Sequence, residues 1–280
     1  MTRIAIAFAA LLAAAVMALP AAAITDGELD GNGHPYVGLM VAQTAEGAPL
    51  WRCSGTLLSA TVYLTVGHCT EAPAAHIEIF FSAGPVTTDP HYTSIAAGGT
   101  GCGNVAVTGY PCHGDVGGTP NTHPDFYDGP FYLHDAGVVV LDEAHPAPGG
   151  VYGVLPAEDA LDSLKPRRST TFTAVGYGLQ KSFPDAAGWK DEAQRTRMLA
   201  RPHLIQINRG IVGDFSLLLS NNANTGGTCF GDSGGPNFLG SSNVVAGITS
   251  FAVNYTCGGT GGVFRTDRAN VLDWVNSFLD

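Results

Sequence analysis

The chain has 280 residues, 45% of them apolar and 13% charged, with a formal net charge of −11. This composition builds a buried core and excludes a disordered chain, while the acidic balance excludes nucleic-acid binding, which rests on Lys and Arg neutralising phosphates. The six cysteines are even in number and point to three disulfides rather than to a metal or redox centre, although six allow 15 pairings.

At the N-terminus, Arg3 precedes an apolar run from Ile4 to Leu19 that ends in Ala21-Ala22-Ala23. This is the pattern of an export signal over residues 1–23, too short and too abruptly followed by polar, Gly-rich sequence for a membrane span. Its removal takes away one charged residue, Arg3, and leaves 12 basic against 24 acidic residues in 24–280. A secreted, extracellular protein with no membrane in its mature form is expected. Nothing in the pattern calls for more than a monomer.

Short apolar stretches rich in Val, Ile, Thr and aromatics follow, bounded by Gly, Pro, Asn and Asp: Tyr36–Ala42, Thr56–Thr65, Ile77–Phe81, Ala136–Leu141, Thr170–Val175, Ser216–Leu219, Val244–Phe251 and Gly262–Arg265. They read as strands, with hardly any helical period between them, and predict an all-β antiparallel barrel or sandwich. Between Ser82 and Pro130 the sequence is rich in Gly, Pro and Thr and reads as an elaborated surface loop, which a disulfide between Cys102 and Cys112 would staple. The stretch Glu143–Pro156 carries three prolines and two adjacent glycines and is the expected connection between two halves. From Asp267 onward, Val271, Trp274, Val275, Phe278 and Leu279 recur at spacings of three and four. That spacing predicts a C-terminal helix over 267–279, capped by Thr266 or Asp267, with its apolar stripe covering a core.

The segment with most chemical content is Gly231-Asp232-Ser233-Gly234-Gly235-Pro236. Glycines around a serine permit a tight turn that exposes the hydroxyl and aims backbone N–H groups at the carbonyl it attacks. A serine hydroxyl needs an adjacent base. His68, in Val66-Gly67-His68-Cys69 at the end of an apolar strand, and Asp135, directly before Ala136–Leu141, supply a base and a carboxylate. The histidines His113, His123, His134 and His145 show no metal-ligand spacing and read as solvated loop residues. Neither a phosphate-cradling loop nor a dinucleotide fingerprint is present, so no cofactor and no catalytic metal are expected.

The three segments, in the order His, Asp, Ser, resemble the signatures of the secreted chymotrypsin/trypsin-like serine proteases. The resemblance also takes in Cys53-Ser54-Gly55-Thr56-Leu57, Gly247-Ile248-Thr249-Ser250-Phe251 and the terminal helix. It implies a peptidase domain over 24–280 made of two antiparallel six-stranded β-barrels, about 24–145 and 150–265, packed together with a C-terminal α-helix. It further implies disulfides Cys53–Cys69 and Cys229–Cys257, with Cys102–Cys112 by exclusion. The roles it implies are Ser233 as nucleophile, His68 as general base and Asp135 as the group orienting that base, with the N–H groups of Gly231 and Ser233 as oxyanion hole. Protein or peptide substrates follow.

Two finer expectations rest on the same resemblance. Ile24-Thr25-Asp26-Gly27 and His34-Pro35-Tyr36-Val37 are similar to the family's mature start, which implies that a freed Ile24 amine pairs with Asp232. The specificity pocket is expected from Gly227 at the floor, Thr228 near the base, and Ser250, Phe251, Ala252 and Gly262 in the walls. With no carboxylate at Gly227, this pocket is uncharged and fits apolar side chains of small to medium size rather than Arg or Lys. A catalytically inactive binding module on the same fold is the alternative, and it leaves an intact Ser-His-Asp set without a role.

Overall fold

The computed structural model describes residues 24–102 and 108–279, so the expected export signal lies outside the described residues. Two closed antiparallel β-barrels form the molecule. The first is a ring of β2 (Val37–Gln43), β3 (Pro49–Leu57), β4 (Val62–Thr65), β7 (Gly137–Leu141), β6 (Val116–Thr122) and β5 (His76–Phe80). All seven residues of β2 are buried, because both of its edges are paired and one face fills the barrel while the other meets the second barrel.

The second ring runs β8 (Arg167–Gly176), β10 (His203–Ile207), β11 (Ser216–Asn221), β14 (Gly259–Arg265), β13 (Val245–Ala252) and β12 (Pro236–Leu239), and the pairing of β12 with β8 closes it. β9 (Met198–Ala200) continues the line of β10 against β8. The break falls at Arg201-Pro202, where proline has no N–H to give the ladder and the Pro202 carbonyl instead accepts from Phe172 N at 2.8 Å. A two-residue strand, β1 (Glu28–Leu29), pairs with β9.

Several elements differ from the sequence expectation. Thr56–Thr65 is not one strand but the ends of β3 and β4, turned at Leu58–Thr61. The expected loop Ser82–Pro130 contains β6, whose Val-Gly-Gly-Thr-Pro-Asn-Thr sequence carries no strand pattern. Its ladders impose the strand. β6 pairs with β5 over Val116–Gly118 and with β7 over Gly118–Thr122, so Pro120 has a pairing partner on one side only, where its missing N–H is tolerated.

The C-terminal helix, α2, spans Ala269–Asn276 and buries Val271, Leu272 and Val275. It follows α1 (Gly67–Thr70), the single turn that carries His68. Its N-cap is Arg268 without a side-chain cap, rather than Thr266 or Asp267. Asp267 is fully buried and bonds instead to the Arg265 guanidinium at 2.7 and 2.8 Å and to Leu161 N at 2.9 Å. α2 returns to the first barrel, with Trp274 edge-on to His123 at 5.0 Å.

A buried ion pair joins the barrels. Arg197, 1% exposed, donates to Asp30 Oδ2 at 2.9 Å, to the carbonyls of Gly31, Val37 and Phe81 at 2.8 to 3.1 Å, and to the Tyr177 hydroxyl. Each of the three guanidinium nitrogens thereby has an acceptor, which a charge withdrawn from water requires. Burial opposes ionisation of Asp30, but its bonds to His34 and Arg197 outweigh it and hold the carboxyl below its ordinary 3.8. A lowered folded pKa contributes stability above the unfolded value, and that contribution is lost as pH falls through the folded one. Asp30→Ala, which strands Arg197 in the interior, is therefore expected to lower unfolding free energy at pH 7 by about 3–5 kcal/mol. Urea titrations at pH 7 and pH 3 check this, with a smaller difference expected at the lower pH.

Candidate active site

His68 sits on α1, directly after β4, so the end of a barrel strand fixes its backbone. The Cys53–Cys69 disulfide ties that turn to β3. Asp135, fully buried, stands two residues before β7, the neighbour of β4. The Asp135 carboxylate accepts three side-chain and backbone donors: His68 N at 3.0 Å, His68 Nδ1 at 2.9 Å and the Ser250 hydroxyl at 2.5 Å. With Nδ1–H aimed at the carboxylate, the tautomer leaves Nε2 with its lone pair. Burial of the ring disfavours its charged form, yet the Asp135 charge and hydrogen bond outweigh burial and hold the His68 pKa above 6.5. Ser250 was expected only as a pocket wall; it also steadies the carboxylate.

Ser233 lies on the turn between Cys229 and β12, and it lines the same cleft as His68. The turn is pinned at several points: Asp232 N to Cys229 O at 3.0 Å, Gly235 N to Asp232 O at 2.8 Å, and Gly234 N to Thr249 O at 2.8 Å. Ser54, on β3 of the other barrel, donates its N–H to Ser233 O at 2.7 Å and its hydroxyl to Gly231 O at 2.9 Å. Gly234 has φ +79°, and a Cβ there would stand 2.0 Å from Thr65 Oγ1 and 2.3 Å from Ser54 O. A side chain at this position would push the Ser233 turn off the first barrel. Among the described residues the backbone N–H groups of Gly231 and Ser233 donate no hydrogen bond within the protein, which leaves two donors beside the serine hydroxyl. No hydrogen bond joins that hydroxyl to His68 among the described residues, and such contacts are commonly loose without substrate.

Asp232 faces away into the second barrel, fully buried, and accepts from Gly178 N at 2.7 Å and Cys229 N at 2.9 Å. Gly178 is required there, since its Cβ would fall 2.5 Å from the carboxylate. Burial pushes the Asp232 pKa up to about 7, against the two backbone donors and the Arg52 charge. Ile24 is also fully buried, packed with Met198 and Ala200. In the full-length chain its nitrogen is part of a peptide bond.

The cleft has a volume of about 750 Å³. Of the expected pocket residues, Thr228, Ser250, Phe251 and Ala252 line it, together with Val253, Asn254 and Tyr255. Gly227 lies behind the Asn221 side chain, whose Cγ is 2.2 Å from where its Cβ would stand, and the Phe251 ring lies across Gly262 in the same manner at 2.3 Å. Besides the Tyr127 and Tyr255 phenols, the ionisable side chains in the lining are His68 and Glu71. The opposite wall is formed by Phe126 and Tyr127, within the expected surface loop, and Phe131, directly after it; no sequence pattern marks them. Ser54 was likewise quoted only as part of a motif. All three disulfides are present: Cys53–Cys69, Cys102–Cys112 and Cys229–Cys257. His123 is not a solvated loop histidine but 3% exposed, and His145 stacks on Phe81 at 4.6 Å.

The family model named Trypsin matches residues 28–275. The chain belongs to the trypsin family. Among solved structures, HL collagenase is similar at 19% identity and a TM-score of 0.65, over 91% of this chain and 97% of that one. Human heparin binding protein is similar at 18% identity and a TM-score of 0.59, over 91% and 96%. At these identities the likeness is one of fold. Among curated proteins none matches this trypsin-family chain.

The pairing of His68 with Asp135 sets a titration. In wild-type protein the His68 ring is expected to titrate above 6.5 by NMR. In Asp135→Asn, with the anionic partner gone and burial still opposing the cation, its midpoint is expected to fall below 6.5.

Proposed function

We propose that the protein is a secreted serine endopeptidase that hydrolyses peptide bonds through an acyl-enzyme. The observation that carries this reading is the buried Asp135 carboxylate bonded to His68 Nδ1, which directs the basic Nε2 to the cleft that Ser233 shares. Ser233 Oγ attacks the substrate carbonyl while His68 Nε2 takes its proton, and the Gly231 and Ser233 N–H groups hold the oxyanion, about 3–4 kcal/mol for each donor in sites of this kind. His68, its charge steadied by Asp135, then returns the proton to the leaving amine. Water repeats the cycle on the ester.

The pocket segments Thr228–Cys229 and Thr249–Tyr255 carry no charged side chain in the lining, so cleavage after uncharged, chiefly apolar residues of small to medium size is the expected preference. The second reading, a binding module, has one observation in its favour: a similar fold carries the name heparin binding protein. The formal charge of −11 opposes a polyanionic ligand for this chain. Activation follows from Asp232, a buried carboxylate whose hydrogen-bond donors are neutral backbone groups. Cleavage before Ile24 frees an amine that pairs with it and orders the Gly231–Ser233 donors.

Purified wild-type protein incubated with a mixed peptide library is expected to cut after apolar residues, and Ser233→Ala to lose turnover by several orders of magnitude while remaining folded. Cleavage after Arg, Lys, Asp or Glu overturns the pocket assignment. No cleavage by folded protein that begins at Ile24 selects the binding reading. N-terminal sequencing of active protein is expected to give Ile24, and kcat/KM to fall on the alkaline side above about pH 8 as the freed amine loses its proton.

A further inference from the structure

The segment joining β6 to β7 forms the aromatic wall of the cleft, and its two ends meet. His123 follows β6, Asp125 lies two residues on, and His134 directly precedes Asp135. Each offers a ligand atom such that all three lie within 4.8 Å of one another. The two imidazoles stack, 6.0 Å between centroids and 11° apart, and the Asp125 carboxylate is 4.0 Å from His123 Nδ1.

Three features distinguish this cluster from an ordinary group of polar side chains. The His123 ring is 3% exposed and its Nδ1 accepts the Asp125 backbone N–H at 3.2 Å, which fixes the tautomer with the Nδ1 lone pair on the Asp125 side. His134 Nδ1 is buried without a hydrogen-bond partner among the described residues, a state that favours a ligand for it. Asp125 is 48% exposed and gives an ion a route from water.

We propose that His123, Asp125 and His134 form a binding site for one zinc-class divalent cation, which clips together the two ends of the loop that walls the substrate cleft. Two imidazole nitrogens and one carboxylate oxygen suit zinc, with water in the fourth place. Tetrahedral ligands about 2.0–2.1 Å from zinc stand about 3.3 Å apart, and rotation of the exposed Asp125 and part-exposed His134 side chains supplies the closure. The site lies one residue from Asp135 but uses none of the groups assigned to peptide hydrolysis.

The test uses protein carrying Ser233→Ala, which prevents self-cleavage, stripped with a chelator and titrated with Zn²⁺ alone in a calorimeter. One zinc per chain is expected, with affinity lowered about tenfold or more in both Asp125→Asn and His134→Asn; near-UV circular dichroism checks that both variants keep the fold. Zinc is also expected to slow amide hydrogen exchange across residues 124–133 in the unsubstituted background and not in His134→Asn. Three results overturn the proposal: no saturable zinc binding, binding that survives both substitutions, as zinc held by His68 or by His76 and His113 beside Glu78 would, or exchange over 124–133 that zinc leaves unchanged. None of these readouts uses peptide hydrolysis, so the proposal and the protease reading fail separately.

Discussion

A carboxylate withdrawn from water must find its hydrogen bonds inside the protein, and four buried aspartates organise this molecule by that requirement. Asp30 collects Arg197 and His34 and locks the N-terminal segment to both barrels. Asp267 holds Arg265 and starts the path into the C-terminal helix. Asp135 and Asp232 meet the same demand on either side of Ser233. Each aspartate stands where two pieces of chain must be joined, so the polar interior doubles as the assembly plan.

The two aspartates nearest the serine are satisfied differently, and the difference divides their roles. Asp135 accepts from an ionisable ring and from a hydroxyl as well as from backbone, so its charge is shared with His68 and raises that ring's basicity. Asp232 has, among the described residues, two backbone N–H donors and is pushed toward neutrality at about 7. One carboxylate is thus matched by a base at its side, while the other is an anion that gains from a cation brought to it.

What the sequence disclosed followed chemical necessity. Gly231–Pro236 and Val66–Cys69 were legible because a nucleophile turn and a strand-end histidine tolerate few alternatives, and the C-terminal helix because its apolar spacing matches a helical face. Barrel strand β6 was not legible: Gly117, Gly118 and Pro120 read as a turn, and only β5 and β7 on its flanks make it a strand. The N-cap of α2 was misplaced because Asp267 has a stronger competing partner in Arg265, a contact set by the fold. Phe126, Tyr127 and Phe131 reach the cleft from within a segment with no period, so position in space, not pattern, assigns them to its wall.

The contact between Ser54 and Ser233 carries a mechanical consequence. Ser54 shares a strand with Cys53, which is cross-linked to Cys69 beside His68, while its N–H grips the carbonyl of Ser233 itself. His68 and Ser233 come from different barrels, yet a path of a few covalent bonds and one hydrogen bond spans the seam between them. Small shear of one barrel against the other therefore carries both groups together, as parts bolted to a common bracket.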